Sequence, residues 1–284
     1  MTSYRFCRSD DVPLLVQAHN ACYLPHVPDA EPLDRESFKA LIPQIDLWTS
    51  SCMVALDGED PVAVLLAGKR ETENLIYRVG VARGHQRRGH GRHLLTSLSQ
   101  KMAILGPPRL IAEVAEDAAE QRSFVEACGY RAEATLVDWQ LHPDASPTAE
   151  QHPLVTSICF EDVEQQGLLT QERGPLCWSR TERSLRSRAD SIQGLALATD
   201  VVEAYLLWSD SEDSIEIETF DSRDPDRGPA LLPHLFAGAI ARAEGRVIRL
   251  RRASERESAM VDLGRLGFLQ VRRTVLYAAQ AVPL

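Results

Sequence analysis

Residues 82–95 read ARGHQRRGHGRHLL, with four arginines, three histidines and three glycines ahead of a leucine pair. The stretch follows the apolar run NLIYRVGV, 74–81, and leads into Leu94, Leu95, Leu98, Met102 and Leu105 at helical spacing. A strand, a glycine-rich turn and a helix in that order make an anion trap. The first helical turn leaves N–H groups without intrahelical acceptors, and the positive end of the macrodipole lies there. Glycines at 84, 89 and 91 let backbone approach a ligand closely, and successive N–H groups converge as a nest. Arg83, Arg87, Arg88 and Arg92 add charge suited to phosphate oxygens. The expected ligand carries several phosphates close together.

Two familiar phosphate loops are excluded, because G-x-G-x-x-G is absent and no Gly-Lys-Ser/Thr follows. An ordinary basic surface turn stays open as the plain alternative. A nucleic-acid patch is disfavoured, since the loop has no aromatic residue to stack a base. The chain as a whole is acidic, with 31 Lys and Arg against 41 Asp and Glu in 284 residues, net −10. That balance argues against a general binder of nucleic acid or anionic membrane. The longest plain apolar run, Val62 to Ala67, is about a strand long, and the N-terminus has no signal-like apolar segment. Six cysteines are scattered without a C-x-x-C pair. Reduced thiols and a cytoplasmic setting are the expectation.

Outward from the loop, the first half reads as a strand at Tyr4–Arg8 and a helix capped by Ser9-Asp10-Asp11. A second helix from Asp34 and three strands in succession follow, the first two joined at Asp57-Gly58. After the loop helix, Gly106-Pro107-Pro108 stops it and RLIAEV, 109–114, forms a strand. A helix ending SFVEACGY and a last strand RAEATLVDWQL, 131–141, complete the half. The same succession recurs near the other end. RVIRLR, 246–251, runs through ASERES into MVDLGRLGF and QVRRTVLYAAQ, offset by 137 residues at the strand and 138 at the Gly-aromatic pair. Between the halves, HPDASPTAEQHP, 142–153, reads as a linker. The expectation is a tandem duplication, with domains over 1–142 and 154–284 joined by residues 143–153.

The spacing Gln86-x-x-Gly89-x-Gly91, five residues past Val79-Gly80-Val81, resembles the acyl-CoA loop of the GNAT acetyltransferase superfamily, Arg/Gln-x-x-Gly-x-Gly/Ala. The order of elements over residues 1–142 is similar to that fold. The resemblance implies two tandem GNAT-like α/β domains, each a mixed, mostly antiparallel sheet flanked by helices. It implies that backbone N–H groups of Gln86, Arg87, Arg88, Gly89, His90 and Gly91 take the CoA pyrophosphate, with Arg92 beside them. It implies that Val79, Gly80 and Val81 run along the pantetheine arm and present an N–H to the thioester carbonyl. The implied activity is transfer of an acetyl group from acetyl-CoA to a primary amine, on a small molecule or a peptide N-terminus, by direct attack. No metal, nucleic acid or membrane is implied, and the chain acts as a monomer or homodimer.

The proton chemistry is thinner. Glu113 sits where relatives that acetylate N-terminal amines carry a Glu base, or is a strand-end carboxylate paired with an arginine. The tyrosine acid that the resemblance implies four residues before Gly129 falls on Val125, and the common Asn falls on Ala118. Tyr77 is a possible substitute or a packing residue; Tyr130 and Cys128 are expected to pack. His85, His90 and His93 are spaced poorly for a metal, and solvent-facing or phosphate-contacting roles suit them better. A CoA-binding sensor or scaffold without turnover is therefore the alternative to an enzyme.

In the second half, DPDRGPALL, 224–232, keeps a trace of the loop. Pro225 replaces the glutamine, Pro229 removes an N–H, and the acidic run before it would repel pyrophosphate. The Glu113 counterpart is Leu250 or Arg251, depending on the alignment. The second copy is expected to be degenerate. Its basic segment CWSRTERSLRSR, 177–188, either faces an acidic acceptor or pairs with the acidic run.

Overall fold

The computed structural model describes residues 2–27, 30–143, 152–170 and 176–283. Most of the expected linker, 144–151, lies outside the described residues. The first half runs β1 (Thr2–Phe6), α1 (Val12–Cys22), α2 (Arg35–Gln44), β2 (Met53–Asp57), β3 (Asp60–Lys69), β4 (Glu73–Val81), α3 (His90–Leu105), β5 (Arg109–Ala115), α4 (Ala119–Ala127) and β6 (Arg131–Leu141). The second half runs β7 (Val155–Cys159), α5 (Phe160–Gln165), α6 (Glu182–Arg186), β8 (Ile192–Ala198), β9 (Val202–Asp210), β10 (Ser214–Ser222), α7 (Gly228–Arg242), β11 (Val247–Ala253), α8 (Glu255–Met260) and β12 (Leu269–Gln280).

The chain divides into two compact units: Met1–Val114 with Ala118–Glu133 and Leu276–Leu284, and Ala115–Asp117 with Ala134–Val275. Strand order in the first is β1-β2-β3-β4-β5-β12, and in the second β12-β6-β11-β10-β9-β8-β7. In each unit four consecutive strands pair antiparallel, and the fourth pairs parallel with the fifth. The closing strands are exchanged. Residues 276–284 complete the first unit, while most of β6 belongs to the second, antiparallel to β11. The repeated sequence makes the two slots chemically alike, so local pattern could not assign either strand to its unit.

Local chemistry explains most elements. Asp57-Gly58 turns β2 into β3 with Gly58 at φ +66°. β3 loses alternation because β2 and β4 flank it and both α1 and α3 pack on it, so Val62–Ala67 are all buried. The second helix starts from Asp34 as expected, and Asp34 and Ser37 form a capping box there. The expected cap of α1 differs. Asp11 makes no cap bond there, because its carboxylate accepts from the Arg5 guanidinium and from the Arg8 N–H. Both Gly-aromatic turns form as read, with Gly129 at φ +91° and Gly267 at φ +89°.

Candidate active site

The site begins with a register fault in β4. Leu66 faces Arg78 and Ala67 faces Ile76, so Tyr77 is the extra residue of a bulge. The parallel ladder between β4 and β5 ends at the same place, with Ile76 opposite Ala112. Beyond it Val79, Gly80 and Val81 pair only with β3, and alternate backbone groups point away from that partner. Glu113, half-buried, is the first β5 residue past the parting. The bulge thus opens a slot with Tyr77 on one strand and Glu113 on the other. Gly80 is required there, because a Cβ would stand 2.6 Å from the Cys22 carbonyl oxygen and the Tyr23 Cα.

The loop follows at the end of this strand. Arg83–His85 make one 3-10 turn, Gln86 is extended, Arg87 has φ +61° and Gly89 caps α3 at φ +86°. Among the described residues, none of the N–H groups of Gln86 through Gly91 donates to another backbone carbonyl. A side chain at Gly84 or Gly89 would meet open space, whereas Gly91 lies under the Phe124 ring, 3.0 Å from where its Cβ would be. Alternating left-handed residues, free N–H groups and an open face fit a diphosphate. Arg87, Arg88 and Arg92 are exposed. Arg83 is committed elsewhere, donating to the Pro25 carbonyl at 2.8 Å. The His26 imidazole donates to the Val81 carbonyl at 2.8 Å and fixes the strand end.

His90 does not face solvent, one of the two roles expected of it. It is buried, shares a 2.5 Å hydrogen bond with the Tyr4 hydroxyl, and is held below its ordinary pKa by burial and then by His85 and Arg88. The His93 ring lies on Tyr4 at 3.9 Å. Val125 is buried, Ala118 starts α4 without a side-chain cap, and Tyr77 is half-buried. Tyr130 packs as expected; burial raises the pKa of its hydroxyl, which has no hydrogen-bond partner among the described residues. Burial pushes the Cys128 thiol up against the pull of Arg92.

Two features had escaped sequence reading. Tyr277, on the exchanged β12, bonds Glu126 at 2.7 Å and Arg122 at 3.2 Å, so a tyrosine from the far end of the chain ties down α4. Arg78, the one charge inside NLIYRVGV, packs against Tyr23, Tyr77 and His19. A charged residue inside an apolar strand was the available signal.

The second unit repeats the geometry and fills it. The β10 bulge leaves Glu218 as the extra residue, and Ile217 faces Leu250 where the parallel ladder ends. This register makes Arg251 the counterpart of Glu113. Arg180 occupies the parting: Nε donates to the Glu218 carbonyl at 2.9 Å, Nη1 lies 3.4 Å from the Arg252 carbonyl, and both amino groups bind Glu257 at 2.9 and 2.5 Å. Arg188 pairs with the Glu218 carboxylate, and Arg186 with Glu164 and Glu182. The basic segment thus spends charge inside its own unit. At the worn loop, Arg227 donates to Asp224, Gly228 to Pro225 and Ala230 to Arg227. The donors that a phosphate would need are consumed.

A strand splayed at a bulge, an open N–H nest and a helix start follow one another in the first unit, and the second unit repeats the succession with the turn closed on itself. Residues 13–130 match the acetyltransferase (GNAT) family. That match covers part of the first half of the chain, and the fold of the whole is similar to that of solved GNAT proteins. Among solved structures, a GCN5-related N-acetyltransferase from Sphaerobacter thermophilus is similar over 100% of this chain and 98% of its own, at 18% identity and TM-score 0.65. A tandem GNAT protein from the clavulanic acid biosynthesis pathway is similar over 100% of both chains, at 15% identity and TM-score 0.65. A GCN5-related N-acetyltransferase from Anabaena variabilis is similar over 99% of this chain and 73% of its own, at 13% identity and TM-score 0.64. No curated protein matches the chain. Among the described residues no cluster of three or more His, Cys, Asp or Glu side chains could hold a metal ion, and no helix is long and apolar enough to cross a membrane.

Proposed function

We propose that the chain is an N-acetyltransferase that moves an acetyl group from acetyl-CoA to a primary amine by direct attack, using the first unit. The observation that carries the reading is the run of unclaimed N–H groups from Gln86 to Gly91, set between the splayed end of β4 and the start of α3. In this reading those groups hold the diphosphate, with Arg87, Arg88 and Arg92 around it. The Val79–Val81 backbone lies along the pantetheine arm, and an N–H pointing away from β3 stabilises charge developing on the thioester oxygen. Glu113 stands across the parting and takes the amine proton, directly or through water. The leaving thiolate takes a proton from solvent, because Val125 supplies none. The second unit is a degenerate copy without cofactor, since Arg180 and the self-bonded turn fill what would be its slot.

Following CoA-thiol release with a panel of primary amines tests this. Glu113→Gln is expected to lower kcat/KM for the best acceptor by about 10²–10⁴-fold, the usual span for loss of a general base. Unchanged kcat/KM would remove Glu113 from the chemistry. Val125 favours a second reading, a CoA-binding sensor without turnover. That reading predicts acetyl-CoA binding with no thiol release for any amine.

A further inference from the structure

Arg78 is the first residue beyond the β4 bulge, about 3.3 Å along the strand before Val79. It shares a face with Gly80, two residues on, and Gly80 lies against Cys22 and Tyr23 at the end of α1. Val81 instead lies close to Gly91 on the α3 side. Arg78 therefore belongs to the face of β4 opposite the nest, where it is half-buried beside the end of α1.

The guanidinium is elaborately held. It lies over the rings of Tyr77 and Tyr23, at 4.7 and 5.1 Å from their centroids. Its Nη1 donates to His19 Nε2 at 2.7 Å. An imidazole nitrogen accepting from arginine must be unprotonated, so the ring proton sits on Nδ1, 3.0 Å from Asn20 Oδ1. Asn20 is in turn clamped to the Leu33 backbone through both amide atoms, at 2.7 and 2.9 Å. His19 is fully buried, and burial, then the Arg78 charge, hold its pKa below the ordinary value.

What Arg78 lacks is an anion. Among the described residues no carboxylate lies within ion-pair distance of it, and its partners are two phenol rings and a neutral imidazole. Other arginines on or beside these strands are neutralised: Arg109 by Glu73 and Glu133, Arg70 by Asp46, Arg180 by Glu257. A half-buried guanidinium left without a counter-ion is costly unless a ligand supplies one. Its unused donors form a planar fork that matches a carboxylate.

We propose that Arg78 binds the acceptor, and that the acceptor is an amine bearing a carboxylate close to it, of the amino-acid class. This rests on the acetyl-transfer reading of the same slot. His19 and Asn20 are positioning residues that aim the fork.

The test uses the full chain and ligand-observed NMR titration with the common amino acids, their amides and the corresponding decarboxylated amines, in the presence of CoA. At least one amino acid is expected to bind ten-fold or more tightly than its amide. Arg78→Gln should erase that difference, and Arg78→Lys should keep part of it. The proposal fails if acids and amides bind alike, if neither binds, if phosphorylated amines outcompete the acids, or if the preference survives in Arg78→Gln. If Arg78→Gln does not fold, the wild-type acid-to-amide ratio and its change in Arg78→Lys decide. Titration with acetyl-CoA separates the two readings. Carboxylate preference without acetyl-CoA binding would keep Arg78 and reject acetyl transfer, and the reverse would reject only the carboxylate.

Discussion

Gly80 and Gly89 serve one loop through different physics. At Gly89 the backbone is left-handed and the space beside it is open, so the demand is for φ, and any side chain also stands in the anion's approach. At Gly80 the demand is for room, because the atoms a Cβ would meet belong to the α1 backbone and to Tyr23. Gly80→Ala must therefore push α1 away and is expected to cost about 1–3 kcal/mol, read as a lower urea midpoint. An unchanged midpoint would mean that α1 yields freely at Tyr23. Gly80 was legible as part of the strand end before the loop, but the reason for a glycine there was not, since the contact spans residues far apart in sequence.

Among the elements, β4 and β10 show how one architecture is kept open in one copy and closed in the other. Both strands bulge at the end of their parallel ladder, with Tyr77 in one and Glu218 in the other. In the second unit Arg180 bridges the parted strands with its charge on Glu257. Arg180→Met leaves that buried carboxylate unpaired, and a loss of about 3–5 kcal/mol is expected in urea unfolding. A midpoint within error of wild type would show that the plug holds nothing. Beside it, burial lifts the Glu216 carboxyl to about 7, outweighing the Arg251 guanidinium at 3.2 Å, which is itself largely exposed. A carboxyl raised on folding binds its proton more tightly in the folded chain. Its contribution is complete below about pH 4.5 and lost as pH rises through about 7. Glu216→Gln should flatten stability between those limits and raise it at pH 8, by at most about 3 kcal/mol. Equal slopes for the two proteins between pH 5 and 8 would contradict this. Sequence reading revealed β4 as a strand and, through the repeat, the missing Glu113 counterpart, but took the β10 stretch only as an acidic run. The plug was invisible, because Arg180 lies 38 residues from Glu218 and 77 from Glu257.

At the scale of the whole molecule, the repeat was legible because each copy keeps a strand, a helix, a Gly-aromatic turn and a strand in order. The exchange of β6 and β12 was not, since two near-equivalent strands carry no local mark of destination. The consequence for function is an asymmetry: the first unit leaves the N–H groups of Gln86–Gly91 unclaimed, and the second spends the matching donors on Asp224, Pro225 and Arg227. Calorimetric titration of the full chain with acetyl-CoA tests this most directly. The account predicts one site per chain, abolished by Gly89→Glu. No heat at millimolar acetyl-CoA, two sites per chain, or binding that survives Gly89→Glu would contradict it.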